Sequence, residues 1–203
     1  MAATTDLRPG YDEPVLAAQS AFRQILSALS RPGTIETVDL EEERTPAPLN
    51  AASTNVALTL LDNDTPVWLS ETLKTPDILA YIRFHTGAPI VALPEKAAFA
   101  FTVAEELETL SAFNIGNDLY PETSTTVIVQ LPSLGAGATR LELSGPGIET
   151  TNSLALGGMG ATLWDEWRDN TALFPCGIDM ILTANDRLAA LPRTTKAILT
   201  EKS

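Results

Sequence analysis

The sequence is poor in the residues that most often carry catalysis or covalent cross-links. Its 203 residues include one cysteine, Cys176, and one histidine, His85. A single cysteine excludes an internal disulfide, and no basic residue stands beside it to activate the thiol, so a packed thiol is expected. Any Ser-His-Asp or Cys-His catalytic group would have to be built on His85.

Positive charge is also scarce, with 13 basic against 26 acidic residues and a formal charge of −13. Nucleic acid binding requires clustered Lys and Arg, and anionic membranes attract the same residues. We therefore expect neither partner. Only four lysines are present, and Lys196 is the sole plausible candidate for a Schiff base, although it lies in a polar tail. No pyridoxal phosphate or other cofactor is therefore expected.

Long apolar runs and familiar catalytic motifs are missing as well. No stretch approaches the roughly 20 apolar residues of a membrane span, and residues 1–10 contain no apolar signal core. The expected compartment is the cytoplasm. The sequence has no P-loop, no G-x-G-x-x-G after a strand, no C-x-x-C, no H-E-x-x-H and no G-x-S-x-G. These absences favour a subunit, a scaffold or a binding module over an enzyme, and no metal site is predicted.

The composition is that of a globular α/β protein, with 44% hydrophobic and 19% charged residues. The length predicts one domain over residues 1–203, with residues 1–12 as a flexible arm. Helical and strand patterns alternate through the first half of the chain, and hairpins dominate the second half. This order predicts a single-domain α/β sandwich with a mixed sheet.

Helix signals are clearest at the start of the chain. Pro14 suits a first helical position and Pro32-Gly33 ends the helix. Its residues Val15, Phe22, Leu26 and Leu29 share one face, which we expect to pack on the core, with partner binding as the alternative. Further helices are predicted from apolar spacing and caps: an amphipathic one between Leu49 and Leu60, one from Thr75-Pro76-Asp77 to Gly87, one at 105–113 and one at 161–174.

Strands are predicted from β-branched and apolar runs at 34–40, 66–69, 90–93, 99–103, 125–131, 140–143, 178–183 and 188–191. The run 90–93 has the continuous apolar character of a strand that is buried on both faces. Residues 134–138 resemble a glycine-rich turn that would pair 140–143 with 125–131. Asn185-Asp186 would close a final hairpin.

Four residues are candidates for binding a ligand or a partner. Arg83 and Arg193 lie at predicted ends of regular elements and present the donor fork that suits phosphate or phosphonate oxygens. His85 adds a proton-dependent donor, and Asp62 begins an oxygen-rich segment, Asp62-Asn63-Asp64. The alternatives are structural: salt bridges for the arginines, a helix end for His85 and a turn for Asp62.

Several segments, taken together and in order, resemble one family. They include Phe22-Arg23 through Pro32-Gly33, Leu60 through Leu69, Arg83-Phe84-His85-Thr86 with Ala88-Pro89, Pro121-Glu122 through Thr125-Thr126, Gly145-Pro146-Gly147-Ile148, Phe174-Pro175, Gly177-Ile178-Asp179, Ile181-Leu182-Thr183 and Leu191-Pro192-Arg193-Thr194-Thr195. This set resembles PhnH, the H subunit of the carbon–phosphorus lyase core complex. The segment from Asn152 to Asn170 departs from the pattern, so nothing is carried over to its glycines.

The resemblance implies a fold similar to the large domain of the pyridoxal-phosphate aminotransferases, without their cofactor site. It implies assembly with the G, I, J and K proteins. A homodimer in isolation is expected separately, because homo-oligomers are most often two-fold dimers. It also implies an accessory part in making a ribose 1-alkylphosphonate 5-triphosphate from ATP and an alkylphosphonate, while the I subunit carries that reaction. The alternative is a phosphonate- or nucleotide-binding module that acts outside a stable complex.

Overall fold

A computed structural model describes residues 9–200 of the chain. The helices are α1 (Pro14–Ser30), α2 (Ala51–Leu60), α3 (Pro76–Thr86) and α4 (Ala161–Ala172). The strands are β1 (Glu36–Thr37), β2 (Val67–Leu69), β3 (Phe99–Val103), β4 (Thr126–Gln130), β5 (Leu134–Ser144), β6 (Asn152–Leu156), β7 (Asp179–Ala184), β8 (Arg187–Leu191) and β9 (Lys196–Leu199). No helix among these residues combines the length and the apolar character needed to cross a membrane.

The strands form one large mixed sheet and one small antiparallel sheet. The large sheet has the order β1-β8-β7-β4-β3-β2, in which β2, β3, β4 and β7 run parallel and β8 and β1 run antiparallel. The small sheet has the order β6-β5-β9. The predicted α/β class with a mixed sheet is therefore confirmed.

Both faces of the large sheet are covered. Helices α1, α2 and α3 pack on one face, where Ile128 and Ile181 meet Ile25, Val56 and Ile78. The small sheet and α4 pack on the other face, where Leu141 and Trp167 meet Val127, Val129 and Leu182. Successive residues of a strand point to opposite faces, so β4 supplies side chains to both cores. Burial on both faces explains why its sequence is a continuous apolar run.

Helix α1 has the predicted ends but not the predicted buried face. Its buried residues are Ala21, Ile25 and Ala28, whereas Val15, Phe22 and Leu26 are 70%, 50% and 52% exposed. Small alanines allow α1 to lie close to β8 and α2, which leaves the larger side chains outside. The expectation that this stripe packs on the core is therefore wrong, except for Leu29, which is partly buried against it.

Helix α2 is not amphipathic as predicted, because every residue from Ala51 to Ala57 is buried. It lies between α1, α3 and the sheet strands β7 and β8. Asn50 caps its first turn, with Oδ1 accepting a hydrogen bond from the Ser53 N–H at 2.7 Å. A helix surrounded by protein on all sides has no polar face to display.

Helix α3 follows its local sequence signals. The Thr75 hydroxyl oxygen accepts a hydrogen bond from the Ile78 N–H at 3.2 Å, as a cap residue should. At the other end Gly87 has φ of 72°, and its N–H donates to the Arg83 carbonyl at 3.2 Å. Both predicted ends are therefore confirmed, and the left-handed backbone explains the glycine.

Other predicted elements differ from the observed ones. Residues 90–93 contribute only an isolated bridge between Ile90 and Val67, beside the edge strand β2. The segment 105–113 forms two single 3₁₀ turns instead of one helix, because its buried residues Leu107, Leu110 and Phe113 recur every third position. The predicted strand at 34–40 is reduced to β1.

The second half of the chain was predicted less well. Residues 134–138 belong to β5, which pairs with β6 and β9 rather than with β4. Strands β6 and β9 were not predicted at all. The final hairpin is confirmed, since β7 pairs with β8 across a turn in which Asn185 has φ of 54°.

Residues 9–12, the end of the predicted flexible arm, contact the helical layer. The Tyr11 hydroxyl donates to Asn55 Oδ1 at 2.6 Å and lies 3.1 Å from Thr59 Oγ1, both on α2. The Gly10 carbonyl accepts a hydrogen bond from Arg44 Nη1 at 2.7 Å. Residues 1–8 of the predicted arm lie outside the described residues.

Candidate functional site

The four predicted binding residues lie in two groups at one edge of the large sheet. Arg83 and His85 occupy the last turn of α3, and Asp62 lies in the connection from α2 to β2. The Val67 N–H donates to the Pro89 carbonyl, which brings this group to the amino end of β2.

Arg193 follows β8, beside the amino ends of β4 and β7. In the sheet order β7 is three strand spacings from β2, about 14 Å. The structure therefore does not bring all four residues into one site.

Arg193 is held by a network of protein acceptors, and its side chain is 14% exposed. Nε and Nη2 donate to the two carboxylate oxygens of Asp179 at 3.2 and 2.6 Å. Nη1 donates to the carbonyls of Pro121 and Pro175 at 3.0 and 3.1 Å, and Nη2 also donates to Ser124 Oγ at 2.6 Å. A guanidinium has five N–H donors, and here all five have acceptors.

The Arg193 network favours the structural alternative for this residue. The guanidinium ties the ends of β7 and β8 to the segment before β4, and the Arg193 backbone N–H adds a bond to Asp179 Oδ1 at 2.7 Å. An anion would have to displace these partners. A ligand-binding role for Arg193 stays a prediction, and it would require these hydrogen bonds to be broken.

The end of α3 presents a different environment. The Arg83 side chain is exposed and makes no hydrogen bond or ion pair with the rest of residues 9–200. The His85 ring lies 4.3 Å from the Tyr81 ring and meets the Phe84 ring edge-on at 5.0 Å. A helix carboxyl end carries partial negative charge, which favours basic side chains and disfavours a bound anion. Packing and dipole compensation therefore account for both residues without a ligand.

Asp62 holds a turn. Its Oδ1 accepts a hydrogen bond from the Asp64 N–H at 2.9 Å, and its own N–H donates to Thr65 Oγ1 at 2.6 Å. The Thr65 hydroxyl donates back to the Asp62 carbonyl at 3.0 Å. This is the turn alternative considered for the sequence. In the described part of the chain no three His, Cys, Asp or Glu side chains gather as a metal site would require.

A buried polar cluster lies between α2, α3 and residues 9–12, where no site was predicted. The Tyr81 hydroxyl is buried without a partner among the described residues. Burial raises the pKa of Tyr81 to about 12, and Tyr11 nearby shifts it in the same direction. Burial also raises the pKa of Tyr11. Arg44 closes the cluster through its ion pairs with Asp12 at 2.6 Å and Glu41 at 3.2 Å.

The carboxyl ends of parallel strands are the usual ligand position in open α/β sheets. Here a crevice of about 340 Å³ is lined by residues including Thr45, Asn50, Asn185 and Asp186. Its floor is a polar network that was also not predicted: the Asn50 N–H donates to Gln130 Oε1 at 2.7 Å, and Ser53 Oγ lies 2.8 Å from Thr183 Oγ1.

This network anchors the start of α2 to β4 and β7. The only sequence signal for it is the spacing of Asn50 and Ser53, which is that of a helix cap. Cys176 is buried, as predicted, and its thiol donates to Asp118 Oδ1 at 3.8 Å, while Lys196 is exposed on β9.

Comparison with known proteins identifies the family. A family model described as "Bacterial phosphonate metabolism protein (PhnH)" matches residues 9–198. The chain is 40% identical over 187 residues to the alpha-D-ribose 1-methylphosphonate 5-triphosphate synthase subunit PhnH of Rhizobium meliloti (strain 1021), covering 92% of each chain. It is 30% identical over 178 residues to the putative C-P lyase subunit protein HtxG of Stutzerimonas stutzeri, covering 87% of this chain and 84% of that one. Because both matches span nearly the whole described fold, this chain belongs to the PhnH family of bacterial phosphonate metabolism proteins.

Proposed function

We propose that this chain is an accessory subunit of the carbon–phosphorus lyase core complex. In this role it supports the formation of a ribose 1-alkylphosphonate 5-triphosphate from ATP and an alkylphosphonate. The observation that carries the proposal is the 40% identity, over 92% of both chains, to a protein named as a subunit of the ribose 1-methylphosphonate 5-triphosphate synthase. The second relative, named as a C-P lyase subunit, supports the same pathway.

The arrangement of the predicted site residues agrees with an accessory role. Arg193 has committed its donors to Asp179 and three other residues, and Asp62 is part of a turn. The His85 ring packs at a tilted angle against the Tyr81 ring. The Arg193 and Asp62 interactions stabilise the fold, so the exposed surface remains as the place where the chain would act.

The finer parts of the proposal are expectations from the sequence. The family resemblance implies the G, I, J and K proteins as partners. The isolated chain forms a homodimer, since homo-oligomers are most often two-fold dimers, and the compartment is the cytoplasm. The chain is a single domain whose fold is similar to the large domain of the pyridoxal-phosphate aminotransferases. Arg83 and His85 contribute to a partner surface in this proposal, because the carboxyl end of α3 disfavours an anion.

Deletion of the gene tests the proposal directly. We expect the deletion strain to lose growth on methylphosphonate as sole phosphorus source, while growth on inorganic phosphate is unchanged. The wild-type chain should restore growth and should co-purify with the G, I and J proteins of the same organism. Normal growth of the deletion strain on methylphosphonate would refute the proposal. Tight methylphosphonate or ATP binding by the isolated chain, without co-purification, would favour the binding-module alternative.

A further inference from the structure

The outer face of α1 is an apolar stripe with the spacing of a helix-pairing seam. Residues Val15, Gln19, Phe22, Leu26 and Leu29 follow one another at intervals of four, three, four and three residues. This alternation keeps side chains in line along a helix and is the pattern by which one helix packs along another. The 17 residues of α1 give the stripe a length of about 25 Å.

Val15, Phe22 and Leu26 of this stripe are exposed to solvent although α1 is anchored on its other side, and Leu29 is partly buried against the core. Ala21, Ile25 and Ala28 face the core, so α1 has two apolar stripes, of which the domain uses one. Leu16, beside the outer stripe, is 65% exposed. A shallow groove of about 400 Å³ runs past Phe22, between α1 and Thr59 of α2. Contiguous exposed apolar side chains of this kind mark interaction sites in soluble proteins.

The residues outside the described part of the chain lack the side chains to cover this stripe. Residues 1–8 contain Met1 and Leu7 as their only large apolar residues, and residues 201–203 contain none. Neither segment can match a seam of four large apolar side chains, so neither is the occupant of the stripe.

The charges of α1 distinguish a second copy of this chain from a different partner as the occupant of the stripe. No acidic residue occurs between Pro14 and Ser30, in a chain with a net charge of −13. The Arg23 side chain lies on the rim of the stripe and has no hydrogen bond or ion pair with the described residues. A second copy pairing through α1 would present the same acid-free face, so no residue between Pro14 and Ser30 of that copy could give Arg23 a carboxylate. A partner helix that carries an acidic residue beside its own apolar seam would pack on the stripe and would also form an ion pair with Arg23.

We propose that the outer face of α1 binds an amphipathic helix of another complex subunit. That helix presents apolar side chains at alternating three- and four-residue spacing and a Glu or Asp opposite Arg23, as in other helix-in-groove contacts. The inference rests on the proposed function, because the partner is sought among the subunits of the same complex.

Co-purification with the G, I and J proteins of the same organism tests the inference. The double variant F22S/L26S should reduce the recovered subunits at least tenfold. R23E should reduce recovery severalfold and R23K should not. The matched control is Ile198→Ser on β9, an apolar side chain that is 61% exposed and lies on the small sheet, across the large sheet from α1, which should leave recovery unchanged. Thermal melting should match wild type in every variant, because the substituted side chains are exposed.

The outcomes separate the surface from the function. Normal recovery with F22S/L26S, while the wild-type chain binds, would overturn the inference and leave the proposed function standing. Conversion of a wild-type dimer into a monomer by F22S/L26S, with subunit recovery unchanged, would overturn it in favour of a second copy. Failure of the wild-type chain to bind any of the three proteins would overturn both proposals.

Discussion

Arg193 and Arg83 carry the same guanidinium group in opposite surroundings. Arg193 reaches acceptors on four other residues, whereas Arg83 extends from the last turn of α3 without a partner in the described part of the chain. Both occur near the end of a regular element, so the sequence indicated the same role for both, binding of a ligand or a partner. The difference shows that an arginine becomes structural when segments distant in sequence bring carbonyls and carboxylates to it.

Removal of Arg193 should give the largest effect. Arg193→Ala leaves the Asp179 carboxylate, which is 23% exposed, without its cation, and leaves two carbonyls and a hydroxyl without a donor. We expect the free energy of unfolding to fall by about 3 kcal/mol, measured by urea denaturation. The matched control is Arg168→Ala on α4, whose exposed ion pair with Asp165 should contribute about 0.5 kcal/mol or less. Equal losses for the two variants would contradict the structural assignment.

Replacement of Tyr81 should have an effect that depends on pH. Since the folded-state pKa of Tyr81 is raised from 10.0 to about 12, the folded protein holds the phenol proton more tightly than the unfolded chain does. The associated stability is complete below pH 10 and is lost as the pH rises from 10 towards 12. Tyr81→Phe should remove this loss.

Urea denaturation between pH 8 and pH 11.5 measures the Tyr81 contribution. The phenol of Tyr11, whose pKa is also raised, is present in both proteins, so the difference between them reports Tyr81 together with its interaction with Tyr11. Tyr120→Phe, at an exposed tyrosine, is the control and should keep the wild-type pH dependence. If Tyr81→Phe loses stability with pH as steeply as wild type, burial of the phenol is not the cause.

Removal of Arg83 should have the smallest effect on folding. Arg83→Ala takes away one favourable interaction with the helix dipole, and we expect the free energy of unfolding to change by about 0.5 kcal/mol or less. Arg83→Lys keeps the charge and should match wild type. If complex assembly fails in Arg83→Ala while melting is unchanged, Arg83 is functional and Arg193 is structural. If the free energy of unfolding instead falls as much as in Arg193→Ala, both arginines are structural.

Elements with local signals were predicted well from the sequence. Thr75 and Gly87 fix the ends of α3 through a side-chain cap and a left-handed residue, and neither depends on the rest of the fold. Strands β3 and β4 were predicted because both faces are buried, which produces uninterrupted apolar and β-branched runs. The α/β class followed from the alternation of such segments.

Features that depend on distant segments were not predicted. Two apolar stripes occur on α1, and which of them is buried depends on how closely the helix approaches β8 and α2. Strands β6 and β9 pair with β5 but not with each other, and β9 follows β5 only after β6, α4, β7 and β8.

The residues of the candidate site also divide into those explained by local sequence and those that depend on distant segments. His85 and Asp62 have local structural explanations that the sequence offered as alternatives, a helix end and a turn. The five donors of Arg193 meet acceptors between 14 and 72 residues away along the chain. The family resemblance, in contrast, was carried by ordered short segments and is confirmed by the match over residues 9–198.

The burial of α2 on all sides has a consequence for hydrogen–deuterium exchange. Its first amides already have acceptors, Asn50 Oδ1 for Ser53 and the Asn185 carbonyl for Ala52. Water can reach the amides of residues 53–57 only when α1, α3 and the sheet separate. These amides should exchange at the rate of global unfolding, so the slowest exchange in the chain would report its total stability from a segment of five residues.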